Sequence, residues 1–212
     1  MHIVRDTRSL SRILDSVRHR RTIGFVPTMG SLHEGHEALV RQSRKICRVT
    51  VVSIYVNPSQ FESLADFRRY PRPLTNDLNL LRKWGVDVAY CPSPKVFPVS
   101  DRIFVSEDGV SKRCEGAVRP GHFRGVLTIV MKLFLQVRPD FAFFGEKDFQ
   151  QLWLVRKMAR EFFTGIDVRG VPTVRQPATR IACSSRNMLL SPQGRIRAAA
   201  IHQSLRRAAT AA

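Results

Sequence analysis

Two histidines and two glycines lie within one short stretch, PTMGSLHEGH, which joins an apolar run to a segment with helical periodicity. Gly30 permits a tight turn, and a helix that begins near Ser31 or His33 presents unpaired backbone N–H groups to a ligand. His33 and His36 share one helical face, from which both can donate N–H bonds to a phosphate. Gly35 leaves room for a flat base. The stretch therefore predicts a nucleotide site.

Two other interpretations of the same stretch are possible. Zinc proteases space their histidines four apart, whereas His33 and His36 are three apart and the sequence suggests no third ligand. Histidines that only cap a helix are the second alternative. The histidine spacing disfavours a metal site, and the glycine pattern favours the nucleotide over capping alone.

Uncharged polar residues follow the next apolar run, in SIYVNPSQF. Asn57 and Gln60 can hydrogen-bond the hydroxyls or carboxylate of a substrate at a strand end. A turn formed by Asn-Pro explains Asn57 equally well.

A lysine follows a third apolar run, in FFGEKDFQQ. Lys147, after Gly145, places an ammonium where a phosphoryl group gains charge, and Gln150 and Gln151 enter the next helix beside it. A solvated cluster of Glu146, Lys147 and Asp148 is the alternative at this segment.

Two hydroxyls and a guanidinium stand together in CSSRNMLL, and they suit phosphate oxygens. Ser184, Ser185 and Arg186 precede a helix that we predict to start at Ser191-Pro192, with serine as its cap. Ordinary loop composition is the alternative. Only the combination with the other three segments supports a site.

The elements that must position these residues alternate along the chain. Five short apolar runs read as buried strands: TIGFV, VTVVSIYVN, VDVAYCP, DFAFFG and IDVRGVPTV. Helical periodicity covers residues 33–47, 74–84, 122–137 and 148–163. This alternation predicts an α/β fold, an open parallel sheet with helices on both faces that binds ligands at the carboxyl ends of its strands.

Composition limits the class of protein. The chain has 212 residues and a formal charge of +18, spread along its length, which favours phosphorylated ligands and nonspecific attraction of nucleic acid. Its N-terminus has charges where a signal peptide needs an apolar centre, and no apolar run could span a membrane, so we expect a cytoplasmic protein without a membrane partner. The four cysteines are widely spaced and are expected to be buried free thiols.

Taken together, the segments resemble the pantoate–β-alanine ligase family of HIGH-type nucleotidyltransferases. The resemblance runs along the whole chain and rests on these segments in the family's order: VPTMGSLHEGH, SIYVNPSQF, DFRRYPR, RPGHFRGV, FGEKDFQQ, GVPTVR and SSRN. It implies a Rossmann-like HIGH-type nucleotidyltransferase fold. The G-x-G-x-x-G fingerprint, a Walker A loop and a catalytic triad are missing from the sequence.

The resemblance implies roles for individual residues. The implied catalytic residues are His33, His36, Lys147, Ser184, Ser185 and Arg186. The implied ATP contacts are Met29, His33, Gly35, His36, Gly145, Lys147, Asp148 and Val174. The implied pantoate contacts are Asn57, Gln60 and Gln151, and Asp77 is the implied magnesium ligand.

The chemistry that the resemblance implies has two steps, with ATP and Mg²⁺ required. Pantoate attacks the α-phosphorus of ATP to give pantoyl adenylate and pyrophosphate, and β-alanine then displaces AMP. A carboxylate is already ionised at neutral pH, so the first step needs alignment and charge stabilisation but no base. The family also implies a homodimer, and no specific nucleic-acid partner is expected.

The resemblance also bears on domain organisation. We expect residues 1–175 to form the Rossmann-like domain that binds nucleotide and pantoate, and residues 176–212 to be a remnant or the start of the family's C-terminal lid domain. Two further functions stay open from sequence. One is a shortened homologue with weak or no turnover, and the other is a basic nucleic-acid-binding module of the same superfamily.

Overall fold

One parallel sheet forms the centre of the molecule. The computed structural model describes residues 1–98 and 100–211. Six strands lie within these residues: β1 (His2–Val4), β2 (Ile23–Thr28), β3 (Val49–Ile54), β4 (Val88–Tyr90), β5 (Phe141–Gly145) and β6 (Asp167–Val171).

Eight α-helices connect or follow these strands in the described residues. They are α1 (Thr7–Arg18), α2 (Glu34–Ile46), α3 (Leu64–Arg69), α4 (Leu74–Lys83), α5 (Glu115–Val118), α6 (His122–Val137), α7 (Phe149–Glu161) and α8 (Pro192–Ala211). Short 3-10 turns occupy Pro58–Gln60, Val110–Lys112, Glu146–Asp148 and Ser185–Leu189.

The strand order places the ends of β2 and β5 side by side. The order is β1-β4-β3-β2-β5-β6, and each neighbouring pair in the described chain is parallel. After β2 the chain continues to β3 on one side, and β5 later fills the place on the other side. Ligands of open α/β sheets bind in the crevice that such a reversal leaves at the carboxyl ends of the strands. The topology therefore places the site after Thr28 and after Gly145.

Alternating residues of the central strands face two separate layers of helices. Phe25 and Val51 belong to a core shared with α1, α6 and α7, whereas Val26 and Val52 belong to a core shared with α2 and α4. Neighbouring residues of a strand point to opposite faces, so continuous apolar strands are needed when both faces are covered. This explains why the strands read as unbroken apolar runs.

The predicted α/β class and the parallel sheet covered on both faces are confirmed. All five predicted strands are present, and the four predicted helical segments correspond to α2, α4, α6 and α7 within two residues at each end. The helix predicted after Ser191 is α8, which begins at Pro192. Sequence reasoning missed β1, a strand of three residues, and the helix α1 that follows it. The domain division at residue 175 stays a prediction.

The cysteine prediction is right for three residues and wrong for the fourth. All four cysteines of the described chain are free thiols, and Cys47, Cys91 and Cys183 are buried, but Cys114 is exposed. It stands between the 3-10 turn Val110–Lys112 and α5, outside the strands. Among the helices that the structure describes, none has the length and apolar content to cross a membrane.

A substitution in β2 tests the close contact between this strand and α2. A Cβ atom at Gly24 would lie 2.2 Å from Ser43 Oγ and 2.8 Å from Cys47 Sγ. We expect Gly24→Ala to lower the free energy of unfolding by about 1–3 kcal/mol, measured by urea denaturation, because the buried helix must shift. Gly194→Ala, in exposed α8, is the matched control and should cause no loss. An unchanged urea midpoint in Gly24→Ala would contradict this packing.

Candidate functional site

A cavity opens at the carboxyl ends of β2 and β5. Its lining comes from the segments after these two strands, from the face of α6 and from the loop before the 3-10 turn Ser185–Leu189. The structure brings most of the predicted site residues to this cavity: Met29, His33, Gly35, His36, Gln60, Gly145, Lys147, Asp148, Gln151, Val174, Ser184, Ser185 and Arg186. Asn57 and Asp77 lie behind the lining.

A buried carboxylate holds the turn that leads into α2. Gly30 and Ser31 both have positive φ, +78° and +52°, and the left-handed region is unfavourable for serine. Asp77, from the first turn of α4, accepts the N–H of Ser31 and the N–H of Leu32 at 2.8 Å each. A Cβ at Gly30 would lie 2.9 Å from Asp77 Oδ2, so glycine is required there for space as well as for φ. The contact fixes where α2 begins.

Backbone N–H groups orient both imidazoles at the start of α2. His33 is the N-cap residue, and its Nδ1 accepts the N–H of Gly35 at 3.1 Å. The Nδ1 of His36 accepts the N–H of His33 at 3.3 Å. Because Nδ1 is the acceptor in both rings, a neutral imidazole carries its hydrogen on Nε2. The ring centroids are 4.1 Å apart, and both residues line the cavity.

Burial keeps both imidazoles neutral. It lowers the pKa of His36 to about 3, with smaller contributions from the charges of His33 and Lys147. Burial also lowers the pKa of His33, and the charge of Lys147 acts in the same direction while Glu34 and Asp148 oppose it. The two rings therefore act as hydrogen-bond donors without adding positive charge to the protein before a ligand binds.

The helix-capping alternative and the nucleotide site are both compatible with this geometry. The histidines form a reciprocal capping box at the start of α2, which uses Nδ1 of each ring. Capping leaves Nε2 of each ring for a ligand. A Cβ at Gly35 would lie 2.8 Å from His33 Cε1, so glycine at this position also makes room for the His33 ring.

An exposed ion pair follows β5. Lys147 Nζ lies 3.0 Å from Asp148 Oδ1, and both side chains are exposed. The solvated-cluster alternative is right about this pairing, but both residues also line the cavity. Exposed pairs contribute little stability, so the ammonium can exchange the carboxylate for a phosphate at small cost.

The glutamines at the two strand ends differ in their roles. Gln60 and Gln151 line the cavity, whereas Gln150 is held by the loop before α5: its Nε2 donates to the carbonyls of Val110 and Arg113 at 2.8 Å each. The structure thus distinguishes Gln151, which lines the cavity, from Gln150, which binds a loop. The sequence alone did not distinguish these two adjacent residues.

Asn57 supports Gln60 from behind. Its side chain is 5% exposed, and its Nδ2 donates to Gln60 Oε1 and to the carbonyl of Gly125, both at 3.1 Å. Its Oδ1 accepts from Ser59. Because Gln60 Oε1 accepts a hydrogen bond from Asn57, the amide N–H groups of Gln60 do not point at Asn57. The predicted contact between Asn57 and pantoate is therefore not supported by its position, and an indirect role fits better.

The Ser-Ser-Arg segment contacts the turn before α2. Ser185 Oγ donates to the carbonyl of Ser31 at 3.0 Å, and Ser184 Oγ accepts the N–H of Arg186 at 3.3 Å. Arg186 Nη2 lies 3.4 Å from Asp66 Oδ2, in α3. The guanidinium of Arg186, whose side chain is exposed, also lies over the ring of Tyr70, with 5.9 Å between Cζ and the ring centroid. Its ion pair with Asp66 is weak enough to be exchanged for a phosphate, and the serines hold the loop in place.

Sequence reasoning missed the apolar part of the lining. Val126, Ile129, Val130 and Leu133 of α6 line the cavity together with Tyr70. The unusually apolar composition of α6 gave a signal, since such a helix is buried on most of its surface. Tyr70 belongs to the DFRRYPR segment, for which the residue types alone indicated no role.

The residues present give little support for a protein-bound magnesium ion at Asp77. The side chain is 1% exposed, and each carboxylate oxygen already accepts a backbone N–H. Burial raises the pKa of Asp77, while the two N–H bonds act in the opposite direction. In the part of the chain that the structure describes, no group of three or more His, Cys, Asp or Glu side chains could hold a metal ion. The assignment of Asp77 to magnesium stays a prediction.

An open parallel sheet whose switch point carries an HxGH helix start defines the class of the protein, the HIGH-type nucleotidyltransferases. Comparison with known proteins identifies the family within this class. The family described as pantoate-beta-alanine ligase matches residues 2–212. The chain belongs to this family.

Curated relatives and solved structures agree with this assignment. The pantothenate synthetase of Heliobacterium modesticaldum is 48% identical over 206 residues, which are 97% of this chain and 72% of that protein. The pantothenate synthetase of Photobacterium profundum is 50% identical over 192 residues, 89% of this chain and 65% of that protein. The chain thus spans about two thirds to three quarters of the length of these relatives.

Two crystal structures show the same fold. Pantothenate synthetase from Thermus thermophilus is 45% identical, with a TM-score of 0.91, and the match covers 97% of this chain and 73% of that chain. Pantoate-beta-alanine ligase from Francisella tularensis is 36% identical, with a TM-score of 0.92 and coverage of 97% and 79%. The Francisella protein was crystallised with beta-gamma ATP and beta-alanine.

A substitution of Asp77 separates its structural role from the predicted metal role. Asp77→Asn presents an amide N–H₂ to one of the two backbone N–H groups, so one donor loses its acceptor. We expect a loss of about 1–3 kcal/mol in the free energy of unfolding, measured by urea denaturation without divalent ions. Asp108→Asn, at a side chain 86% exposed, is the matched control and should change stability by less than about 0.5 kcal/mol. Unchanged stability in Asp77→Asn, together with a higher Mg²⁺ requirement, would favour the metal role instead.

Proposed function

We propose that this chain condenses pantoate with β-alanine in an ATP-dependent reaction that proceeds through pantoyl adenylate. The products are pantothenate, AMP and pyrophosphate. The observation that carries the proposal is the pair of Nε2–H donors of His33 and His36, which line one cavity with Lys147 at the switch point of the sheet. Membership of the pantoate–β-alanine ligase family supports it.

The first half of the reaction suits donors that do not act as bases. A carboxylate oxygen of pantoate attacks the α-phosphorus of ATP, and the bond from this phosphorus to the pyrophosphate oxygen breaks. The attacking group is already an anion, so no proton has to be removed. Both imidazoles use Nδ1 as the acceptor of a backbone N–H and thus present only Nε2–H to the phosphates. Together with Lys147 they stabilise the charge that develops on the phosphate oxygens.

The remaining predicted phosphate ligands belong to the loop next to α2. Ser184, Ser185 and Arg186 line the same cavity and are proposed to contact the phosphates, and Ser185 also ties their loop to the carbonyl of Ser31. In the proposal, Arg186 leaves Asp66 for the phosphates. Met29, Gly35, Gly145, Asp148 and Val174, which also line the cavity, are proposed to contact ATP.

The uncharged and apolar residues of the cavity lining suit pantoate. Pantoate carries two hydroxyls, a carboxylate and a carbon with two methyl groups. Gln60 and Gln151 supply uncharged hydrogen-bonding groups, and Val126 and Val130 of α6 supply an apolar surface for the methyl groups. Uncharged partners are suitable because they leave the carboxylate able to react.

The second half of the reaction uses the same donors. The amine of β-alanine attacks the acyl carbon of the adenylate, a C–N bond forms, the acyl C–O bond to AMP breaks, and the amine releases a proton. AMP leaves with its phosphate still opposite the imidazoles and Lys147, so one set of groups serves both steps.

Three further parts of the proposal come from the family resemblance. Mg²⁺ enters as the counter-ion of the ATP triphosphate, that is, as part of the substrate. The functional unit is a homodimer, and the location is the cytoplasm.

The proposal can be separated from the two other functions that the sequence left open. Pyrophosphate release that requires pantoate, followed by AMP release on addition of β-alanine, distinguishes the ligase from a homologue without turnover. Binding of tRNA that persists at high salt would favour the nucleic-acid module, because nonspecific binding to the basic surface weakens steeply as salt rises.

Replacement of Lys147 tests the proposed chemistry. We expect Lys147→Ala to lower the rate of pantoate-dependent exchange between ATP and pyrophosphate by at least about 100-fold, or about 3 kcal/mol, because the transition state loses a cation. Lys83→Ala, at an exposed lysine near the end of α4, is the matched control and should retain the rate. Wild-type exchange in Lys147→Ala would remove this residue from the mechanism.

A further inference from the structure

Arg119 and His122, from the RPGHFRGV segment, hold the backbone carbonyl of Gln60. The carbonyl of Gln60 lies 2.8 Å from His122 Nδ1 and accepts from Arg119 Nη2 at 3.3 Å. Both residues lie about 60 positions further along the chain: Arg119 follows α5, and His122 is the first residue of α6. The roles proposed for the cavity residues include Val126 of this segment but do not account for Arg119 or His122.

The guanidinium of Arg119 is engaged within the protein on every side. Its Nε donates to Glu62 at 2.6 Å, and its Nη1 donates to Glu115 at 2.5 Å. With Nη2 bonded to the carbonyl of Gln60, the side chain has little capacity left for an anionic ligand. These contacts indicate a residue that orients its neighbours, in contrast to a phosphate ligand such as Arg186.

The ring of His122 is fixed as a donor to Gln60. The side chain is 8% exposed, and burial lowers the pKa of His122. A neutral ring that donates from Nδ1 has Nε2 as an acceptor, and Nε2 lies 3.2 Å from Arg119 Nη1. The two side chains therefore support each other in one arrangement: Arg119 donates to His122, and both donate to the carbonyl of Gln60.

The helix itself closes on the turn that carries Gln60. A Cβ at Gly125 would lie 2.3 Å from the carbonyl oxygen of Ser59, so glycine is required for this approach. The carbonyl of Gly125 accepts from Asn57 Nδ2, which also donates to Gln60 Oε1. Thus the start of α6 holds the main chain of Gln60 directly and its side-chain amide through Asn57.

We propose that Arg119 and His122 are positioning residues for pantoate binding, which act by holding Gln60 in the lining of the cavity. The inference rests on the proposed function, because it assigns pantoate to Gln60. It predicts a selective effect: a displaced Gln60 weakens the contact with pantoate, whereas the imidazoles and Lys147 keep their positions and ATP binds as before. A residue that only stabilises the fold would affect both substrates.

The experiment measures the apparent KM values for pantoate and for ATP in pantoate-dependent exchange between ATP and pyrophosphate. We expect His122→Ala to raise the KM for pantoate about tenfold, as loss of a hydrogen bond that orients a ligand contact does, and to leave the KM for ATP within about twofold. His122→Asn keeps a side-chain N–H near the place of Nδ1 and should restore the pantoate KM to within about threefold. Gln60→Ala gives the full effect of losing the contact, and His19→Ala, at an exposed histidine, is the matched control.

The measured KM values either support or overturn the positioning role of Arg119 and His122. A selective rise in the pantoate KM that His122→Asn reverses supports it. A pantoate KM in His122→Ala equal to that in His19→Ala, or equal rises in both KM values, overturns it. If His122→Ala fails to fold, Arg119→Gln takes its place and must show the same selectivity. A wild-type chain without pantoate-dependent exchange overturns the proposed function and the inference together, whereas wild-type exchange with an unaffected variant overturns the inference alone.

Discussion

The hydrogen bonds from two backbone N–H groups to the Nδ1 atoms of His33 and His36 determine what the site can do. They leave the hydrogen of each neutral ring on Nε2 and occupy the lone pair on Nδ1, so that neither ring keeps a free lone pair with which to act as a general base. Burial keeps the rings neutral, so the cations of the site are Lys147 and Arg186. Such a site aligns and stabilises anionic groups, which is what adenylation of a carboxylate requires.

The residues that contact ligands in our proposal are supported by buried polar groups that do not. Asp77 holds the turn before α2, and Asn57 holds the amide of Gln60. A buried carboxylate or amide that lost its partner would cost free energy, so each support specifies one arrangement of the chain. By contrast, Lys147 forms only an exposed ion pair and can change partners when a phosphate arrives.

The sequence predicted the fold because both faces of the sheet are covered, so that each central strand is a continuous apolar run. It did not predict β1, in which only Val4 is buried, because three residues are too few to show the alternation of apolar and polar residues that marks a strand. The location of the site followed from the same reasoning, because carboxyl ends of parallel strands meet at one edge.

Residue types alone could not show which side chains face the cavity. Asn57 and Asp77 stand at positions suited to ligand contacts, yet both turn to nearby backbone and amide groups. Gln150 and Gln151 are adjacent and point to different surroundings. The bond between His122 and Gln60 joins residues 62 positions apart, and a contact over that separation depends on how α6 packs.

Nuclear magnetic resonance of the ¹⁵N-labelled chain tests the central claim most directly, since nitrogen shifts report which ring nitrogen carries the hydrogen. The signals of His33 and His36, assigned with His33→Gln and His36→Gln, should show Nε2–H tautomers near neutral pH without nucleotide. His36 should stay neutral far below the usual histidine range, because its pKa is about 3. A hydrogen on Nδ1 of either ring, or titration of His36 near its ordinary pKa of about 6.5, would contradict the account.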